Sequence, residues 1–133
     1  MPRRIVLSVE DDDSTYHALT MAFEEAAPEV EMRRACDGDQ ALSMLRAPSE
    51  AERLRPDLIM LNLNLPKWTG FELLEEMKKD GLVDSIPVVV FSSSSLNTDK
   101  ARCLALGARG YFTKSTNFDE FVHTVQSVCD LLS

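Results

Sequence analysis

The chain has 133 residues, of which 44% are hydrophobic and 27% charged, and this composition excludes disordered and fibrous proteins. Its formal net charge of −8, from 22 acidic residues against 14 lysines and arginines, argues against binding nucleic acid through a basic face. No apolar run approaches the roughly 18 residues of a membrane span and the N-terminus lacks the pattern of a signal peptide, so we predict a cytoplasmic protein that binds neither nucleic acid nor membrane.

The first half of the chain alternates strand and helix patterns. Residues 5–9 form a nearly continuous apolar run, which is typical of a strand buried on both faces of a parallel sheet. Apolar residues then recur at helical spacing over residues 18–26. A polar-interrupted strand at 30–35 and a second helical pattern at 41–45 follow, and a long loop over about 46–57 closes this half.

The second half repeats the alternation. Residues 58–61 and 88–91 are two more continuous apolar strands, whereas the strand pattern at 109–113 is interrupted by polar residues. Three further helical patterns follow these strands, at residues 71–77, 101–105 and 118–132. Polar interruption suits the edges of a sheet, so the first, third and fourth strands are predicted to be central.

Capping signals mark two of the helix starts. Thr69 with Glu72, and Asn117 with Glu120, have the three-residue spacing of a capping box, in which the two side chains bond each other's backbone N–H. We therefore expect helices to begin directly after Thr69 and Asn117.

This order of elements predicts one α/β domain. Strictly alternating strands and helices imply a parallel sheet with helices on both faces and right-handed crossovers. Three central and two edge strands fit the order 2-1-3-4-5 of a doubly wound, flavodoxin-like (βα)5 fold. Ligands of such sheets bind outside the carboxyl ends of the strands, so the residues that follow each strand are the candidate site.

Complementary polar groups follow four of the five strands. Glu10 and Asp11 come after the first strand, Asn62 after the third, Ser92 after the fourth and Lys114 after the fifth. Carboxylates and amide oxygens suit Mg²⁺, which takes one or two carboxylates and keeps several waters. A lysine and a hydroxyl opposite such an ion suit the oxygens of a phosphoryl group.

Each piece also has a structural alternative. The acidic run 10–13 can stabilise the first helix N-terminus, with Asp13 or Ser14 as its cap. The serines at 92–95 can form a turn, and Asn62 can be a buried structural amide. Joint placement of these groups at four strand ends favours the functional interpretation.

The cysteines argue against a metal framework or disulfides. They are three, widely spaced and without a Cys-x-x-Cys pair, and the chain has only two histidines. We expect all three, Cys36, Cys103 and Cys129, to be buried as small hydrophobic residues.

Four segments together resemble the receiver domain of bacterial response regulators, over essentially the whole chain. They are LSVEDD at 7–12, PDLIMLNLNLP at 56–66, PVVVFS at 87–92 and GARGYFTK at 107–114. The Asn-Leu-Pro ending of the second segment, the long loop before it and Lys114-Ser115 without a proline resemble single-domain receivers that pair with phytochrome-type histidine kinases. The resemblance implies a single receiver domain over 1–133, with no output domain.

The resemblance also implies roles for individual residues. Glu10, Asp11 and the backbone carbonyl of Asn64 would hold Mg²⁺. Ser92 and Tyr111 would be the switch positions, with Ser92 moving toward a phosphoryl oxygen and Tyr111 turning inward in an active relative. Lys114 would contact the phosphoryl group.

Asn62 departs from the family pattern, which has a phosphoacceptor aspartate at this position. An uncharged amide cannot form an acyl phosphate, so we expect this chain not to be phosphorylated there and its inactive state to dominate. Mg²⁺ binding should be weakened because one anionic ligand is missing, although the carbonyl oxygen of Asn62 remains a candidate ligand. Asn62 is then either the mark of a natural pseudo-receiver or an engineered substitution, and the otherwise complete site favours the second.

Three functions are compatible with these residues. The first is a stand-alone, non-enzymatic receiver in a two-component phosphorelay, which contacts a downstream protein through residues 99–106, 109–112 and 118–132. The second is a phosphorylation-independent interaction or homodimerisation module that uses the same face. The third, a small Mg²⁺-dependent hydrolase, is disfavoured because no histidine lies near a strand end.

Overall fold

The apolar runs form one five-stranded sheet in the computed structural model, which describes residues 4–49, 51–115 and 117–132. The strands are β1 (Ile5–Val9), β2 (Glu31–Ala35), β3 (Leu58–Leu61), β4 (Val88–Ser92) and β5 (Gly110–Thr113). The helices within these ranges are α1 (Asp13–Ala26), α2 (Gly38–Leu45), α3 (Gly70–Lys79), α4 (Leu82–Ser85), α5 (Asn97–Ala105) and α6 (Phe118–Asp130). The predicted fourth and fifth helices are thus α5 and α6.

All strand pairs are parallel, and the strand order is β2-β1-β3-β4-β5. The predicted flavodoxin-like order is therefore confirmed. Every residue of β3 and β4 is buried, whereas β2 and β5 are mostly half-buried, as expected for edge strands. Val9 pairs with Leu61 on one side and with Ala35 on the other, so the carboxyl ends of three adjacent strands lie level with one another.

The core consists of two apolar layers, one on each face of the sheet. On one face, α1 and α6 cover β1 and β4, and the rings of Phe91 and Phe121 meet edge to face with centroids 5.5 Å apart. On the other face, α2, α3 and α5 bury residues such as Leu42, Leu74 and Cys103. Burying each large apolar side chain contributes about 1.5–3 kcal/mol, so both faces of the central strands are firmly fixed.

The helix caps explain how the loops around the site are held. The side chain of Thr69 and that of Glu72 form the predicted capping box of α3. Asn117 caps α6 as predicted, but its own N–H donates to the hydroxyl of Ser115, which in turn hydrogen-bonds Glu120. Glu120 therefore supports the cap through a serine rather than directly.

The structure differs from the predictions in three places. Asp12, and not Asp13 or Ser14, caps α1 by accepting a 2.9 Å hydrogen bond from the N–H of Thr15. The short helix α4 was not predicted, because it is a single turn that begins after Gly81 in the left-handed region at φ 76°. Of the three cysteines expected to be buried, only Cys103 is; Cys36 is exposed and Cys129 is half-buried.

No helix in the described part of the chain is both long and apolar enough to cross a membrane.

Candidate functional site

The candidate site forms where the hydrogen-bond ladder of the sheet continues past the strands. The N–H of Glu10 donates to the carbonyl of Ala35 at 2.9 Å, and the N–H of Asn62 donates to the carbonyl of Val9 at 3.1 Å. At the other side, the N–H of Lys114 donates to the carbonyl of Ser92 at 2.7 Å. The backbone of these site residues is therefore fixed by the sheet itself.

The side chain of Asn62 lies at the centre of the cluster. Its amide nitrogen Nδ2 is 3.1 Å from Oε2 of Glu10, 3.1 Å from Oδ1 of Asp11 and 3.2 Å from the backbone carbonyl oxygen of Asn64. Its Oδ1 accepts a 3.2 Å hydrogen bond from the N–H of Asn64. The three oxygens that were predicted to hold a metal thus converge on one atom, and that atom is a nitrogen of this chain.

Glu10 is almost fully buried and has a charged partner. Its Oε1 lies 2.7 Å from Nζ of Lys114, and its Oε2 also accepts the N–H of Asp12 at 3.2 Å. Burial raises the pKa of Glu10 above its ordinary value, and the ion pair with Lys114 opposes that rise only in part. The pair is further enclosed by Phe91, whose ring centroid lies 5.8 Å from the lysine nitrogen.

The loop after β3 brings a helix close to the site. The N–H of Gly70 donates to the carbonyl of Leu63, and a Cβ at residue 70 would lie 2.6 Å from the backbone oxygen of Asn62. Only glycine permits this approach. Lys67 lies in the left-handed region at φ 69°, and Trp68 beside it donates from Nε1 to Oδ1 of Asp39 at 2.7 Å, which ties the loop to α2.

Ser92 and Tyr111 are linked through Ser94, a residue that the serine run 92–95 predicted only as part of a turn. The N–H of Ser94 donates to the hydroxyl of the fully buried Ser92 at 3.2 Å, and the hydroxyl of Tyr111 donates to the carbonyl of Ser94 at 2.7 Å. The hydroxyl of Ser94 donates to Asp99 at 2.6 Å and accepts the N–H of Leu96. Ser94 therefore connects β4, β5 and the first turn of α5.

The ring of Tyr111 contacts the core. Its ring is half-buried and packs against the core layer beneath α3 and α5. The expectation that the inactive state dominates stays a prediction.

The spare carboxylates beside the site have structural partners. Asp12 caps α1, and Asp13 pairs with Nη1 of Arg34 at 2.8 Å. Arg34 also donates from Nε to the carbonyl of Glu10 and stacks on the ring of Tyr16 at 4.9 Å. In the described ranges, no group of three or more acidic, histidine or cysteine side chains is arranged to hold a metal.

A flavodoxin-like sheet with carboxylates, a lysine and a buried hydroxyl at its carboxyl edge is the architecture of a receiver-type signalling domain. The response regulator receiver domain family matches residues 6–126. The chain belongs to this family and is a receiver domain of two-component signalling. The predicted family is therefore confirmed.

Individual relatives agree with this assignment. Response regulator Rcp1 of Synechocystis sp. is 33% identical over 128 residues, which cover 96% of this chain and 87% of Rcp1. The crystal structure of the phosphorylated cyanobacterial phytochrome response regulator RcpA has a TM-score of 0.87 at 34% identity and covers 98% of this chain and 94% of RcpA. The Mn²⁺-bound form of Rcp1 has a TM-score of 0.82 at 32% identity, over 94% of this chain and 91% of that one.

Proposed function

We propose that this receiver domain does not accept a phosphoryl group at residue 62. It signals by contact with other proteins, in a conformation that its own side chains stabilise without phosphorylation. The observation that carries the proposal is the buried amide of Asn62, held between Glu10, Asp11 and Asn64. The amide lone pair is delocalised into the carbonyl and the group is uncharged. It therefore lacks the nucleophilic oxygen that forms an acyl phosphate.

The partner that fits best is a histidine kinase of the phytochrome type. This part of the proposal draws on RcpA, which is described as a phytochrome response regulator and is 34% identical to this chain. A kinase can still dock on a receiver that lacks the acceptor aspartate, because docking depends on the surface around the site. Under this proposal residues 1–133 form a receiver domain that acts in the cytoplasm, catalyses no reaction and binds no nucleic acid.

The proposed output face consists of α5, β5 and α6. Leu96, Leu104 and Phe118 are exposed large apolar side chains on or beside these elements, at 62%, 44% and 38% exposure. Exposed apolar groups of this size favour a protein contact. A downstream protein is the leading occupant, and a second copy of the chain is the alternative.

A phosphorylation-independent interaction module is the second candidate function. The link from Tyr111 through Ser94 to Asp99 favours it, because these hydrogen bonds fix the face without any bond to residue 62. A hydrolase is less well supported, since Asp12 and Asp13 are engaged as cap and ion-pair partner.

The proposal is tested by intact-mass spectrometry after incubation with a small-molecule phosphodonor and Mg²⁺. The native chain should gain no phosphate, whereas Asn62→Asp should gain one phosphoryl group. Asn64→Asp is the matched control: it adds a carboxylate two residues away on an exposed side chain and should stay unlabelled. Equal labelling of the native chain and Asn62→Asp would place an acceptor outside residue 62 and overturn the proposal that the chain signals without being phosphorylated.

The partner is tested by binding and transfer from an autophosphorylated phytochrome-type kinase. We expect the native chain and Asn62→Asp to bind the kinase with similar affinity and only the variant to receive phosphate. Failure of both to bind would remove this class of kinase as the partner.

A further inference from the structure

We infer that the amide of Asn62 takes the place of the divalent cation at this site, so that the native chain is complete without a metal. The inference rests on the proposed function only in treating Glu10, Asp11 and the Asn64 carbonyl as the family's cation ligands. The residues present do not fit a cation, because the same amide nitrogen already lies 3.1–3.2 Å from all three oxygens.

The hydrogen-bonding chemistry of the cluster supports this arrangement. Carboxylates and a carbonyl only accept hydrogen bonds. The amide nitrogen supplies two N–H donors for the three oxygens, so one N–H is shared between two of them, and it has no accessible lone pair. Bonds to ionised acceptors are among the strongest in proteins, so the amide supplies the partial positive charge that these oxygens require. A cation could reach the same three oxygens only by displacing the amide.

The orientation of the amide is also fixed. Its Oδ1 accepts the N–H of Asn64 at 3.2 Å. Turning the group over, to offer Oδ1 to a metal, would set Nδ2 against that N–H and leave donor facing donor. The one change that would make Asn62 a metal ligand therefore breaks its bonds to Glu10, Asp11 and Asn64 together.

The charges of the cluster weaken cation binding further. Nζ of Lys114 lies 2.7 Å from Glu10, so one of the two carboxylates has a paired charge. Asp11 remains as the exposed carboxylate. A divalent ion would therefore meet one uncompensated negative charge, which is the minimum that Mg²⁺ sites use, and the oxygens around it already accept the amide of Asn62.

An amide in the cation position and a simple loss of an anionic ligand predict opposite results. If Asn62 weakens metal binding only because it carries no negative charge, Asn62→Ala should bind Mn²⁺ as weakly as the native chain. If Oδ1 of Asn62 is itself a metal ligand, Asn62→Ala should bind Mn²⁺ more weakly. If the amide occupies the cation position, Asn62→Ala removes the obstacle and should bind Mn²⁺ at least about tenfold more tightly. A cation that displaces the amide from three oxygens gives up at least one such hydrogen bond, which corresponds to about tenfold in affinity.

The experiment is a Mn²⁺ titration of the full chain, with free Mn²⁺ measured by electron paramagnetic resonance. Asn62→Asp is the positive control for detection, and Asn64→Ala, which keeps its backbone carbonyl, should bind no better than the native chain. Mn²⁺ should raise the melting temperature of Asn62→Ala and leave that of the native chain unchanged. Native binding equal to or tighter than that of Asn62→Ala would overturn the inference.

A second measurement uses the native protein alone, in case Asn62→Ala does not fold. The side-chain NH₂ resonances of Asn62 should be protected from exchange and should not shift in excess Mg²⁺. A saturable shift of these resonances would overturn the inference. Because neither readout involves phosphate, failure here and failure of the proposed function are distinguishable.

Discussion

Nζ of Lys114 lies 2.7 Å from Oε1 of Glu10, and the side chains of the two residues are only 16% and 2% exposed. Oε2 of the glutamate also accepts the amide of Asn62 and the N–H of Asp12, but burial raises the pKa of the carboxyl, and the lysine offsets that rise only in part. A buried ion pair of this kind stabilises the fold chiefly because each partner neutralises the charge of the other. Removing one partner leaves a buried charge without compensation and lowers the free energy of unfolding.

Lys114→Met should therefore lower the free energy of unfolding by about 3 kcal/mol, at the lower end of the range for breaking a buried pair because the lysine retains some exposure. Urea unfolding at neutral pH measures the change. Lys100→Met is the matched control, since Lys100 is exposed on α5, and it should change stability by no more than about 0.5 kcal/mol. Equal effects of the two substitutions would mean that the ion pair contributes nothing.

The hydroxyl of Tyr111 gives a second prediction. Tyr111→Phe keeps the ring against the core and removes the 2.7 Å bond to the Ser94 carbonyl, so it should cost about 1 kcal/mol. The side chain should also gain mobility, visible as averaged ring resonances in NMR spectra. Tyr16→Phe, which keeps the ring on which Arg34 stacks, is the control. An unchanged stability and an unchanged ring environment in Tyr111→Phe would show that the hydrogen bond to Ser94 does not hold the side chain in place.

Ser94→Ala should loosen the start of α5. Leu96, the N-cap residue of α5, uses no side chain to cap the helix, and its own N–H donates to the hydroxyl of Ser94, which also donates to Asp99. We expect hydrogen exchange at the amide of Leu96 to speed up by about tenfold. Ser95→Ala alters the exposed neighbouring serine and should leave this exchange rate unchanged. Equal rates in both variants would show that Ser94 does not hold the helix start.

The sequence predicts the fold well because its signals are local. The apolar runs of β1 and β3 have the same bounds in the structure as in the prediction, since both strands are bounded by polar or proline-containing segments. The edge strands β2 and β5 begin one residue later than predicted, after Val30 and Arg109. At these ends the burial pattern does not separate strand residues from loop residues. The cap of α1 was misplaced because four consecutive candidates, residues 11–14, carry suitable side chains.

The candidate site is less predictable at the level of atoms. Parallel strands bring Glu10, Asn62 and Lys114 to one edge, and that proximity follows from topology alone. Which end of the Asn62 amide faces the carboxylates depends on the backbone N–H of Asn64, and no sequence pattern reports it. Ser94 was overlooked because its role depends on Asp99 and on a bond from Tyr111, which lies 17 residues away.

The contact between Gly38 and Trp68 gives a further prediction. A Cβ at residue 38 would lie 2.6 Å from Cβ of Trp68, so Gly38→Ala should displace the tryptophan and cost about 1–3 kcal/mol. Because Trp68 is the only tryptophan, its emission spectrum reports the displacement directly. Gly81→Ala is the control: a Cβ there has open space but a strained φ of 76°, so stability should fall without a change in emission.

The thiol of Cys103 gives a pH-dependent prediction. Burial raises its pKa from 9.0 to about 11, so the unfolded thiol ionises first. The resulting contribution to the free energy of unfolding is complete below pH 9 and is lost as the pH rises from 9 to 11, by up to roughly 3 kcal/mol. Denaturant unfolding across this range should show a smaller decrease in the free energy of unfolding for Cys103→Ala than for the native chain. Cys36→Ala, which removes an exposed thiol, should show the same decrease as the native chain. Parallel pH profiles for the native chain and Cys103→Ala would show that the thiol is not desolvated in the folded protein.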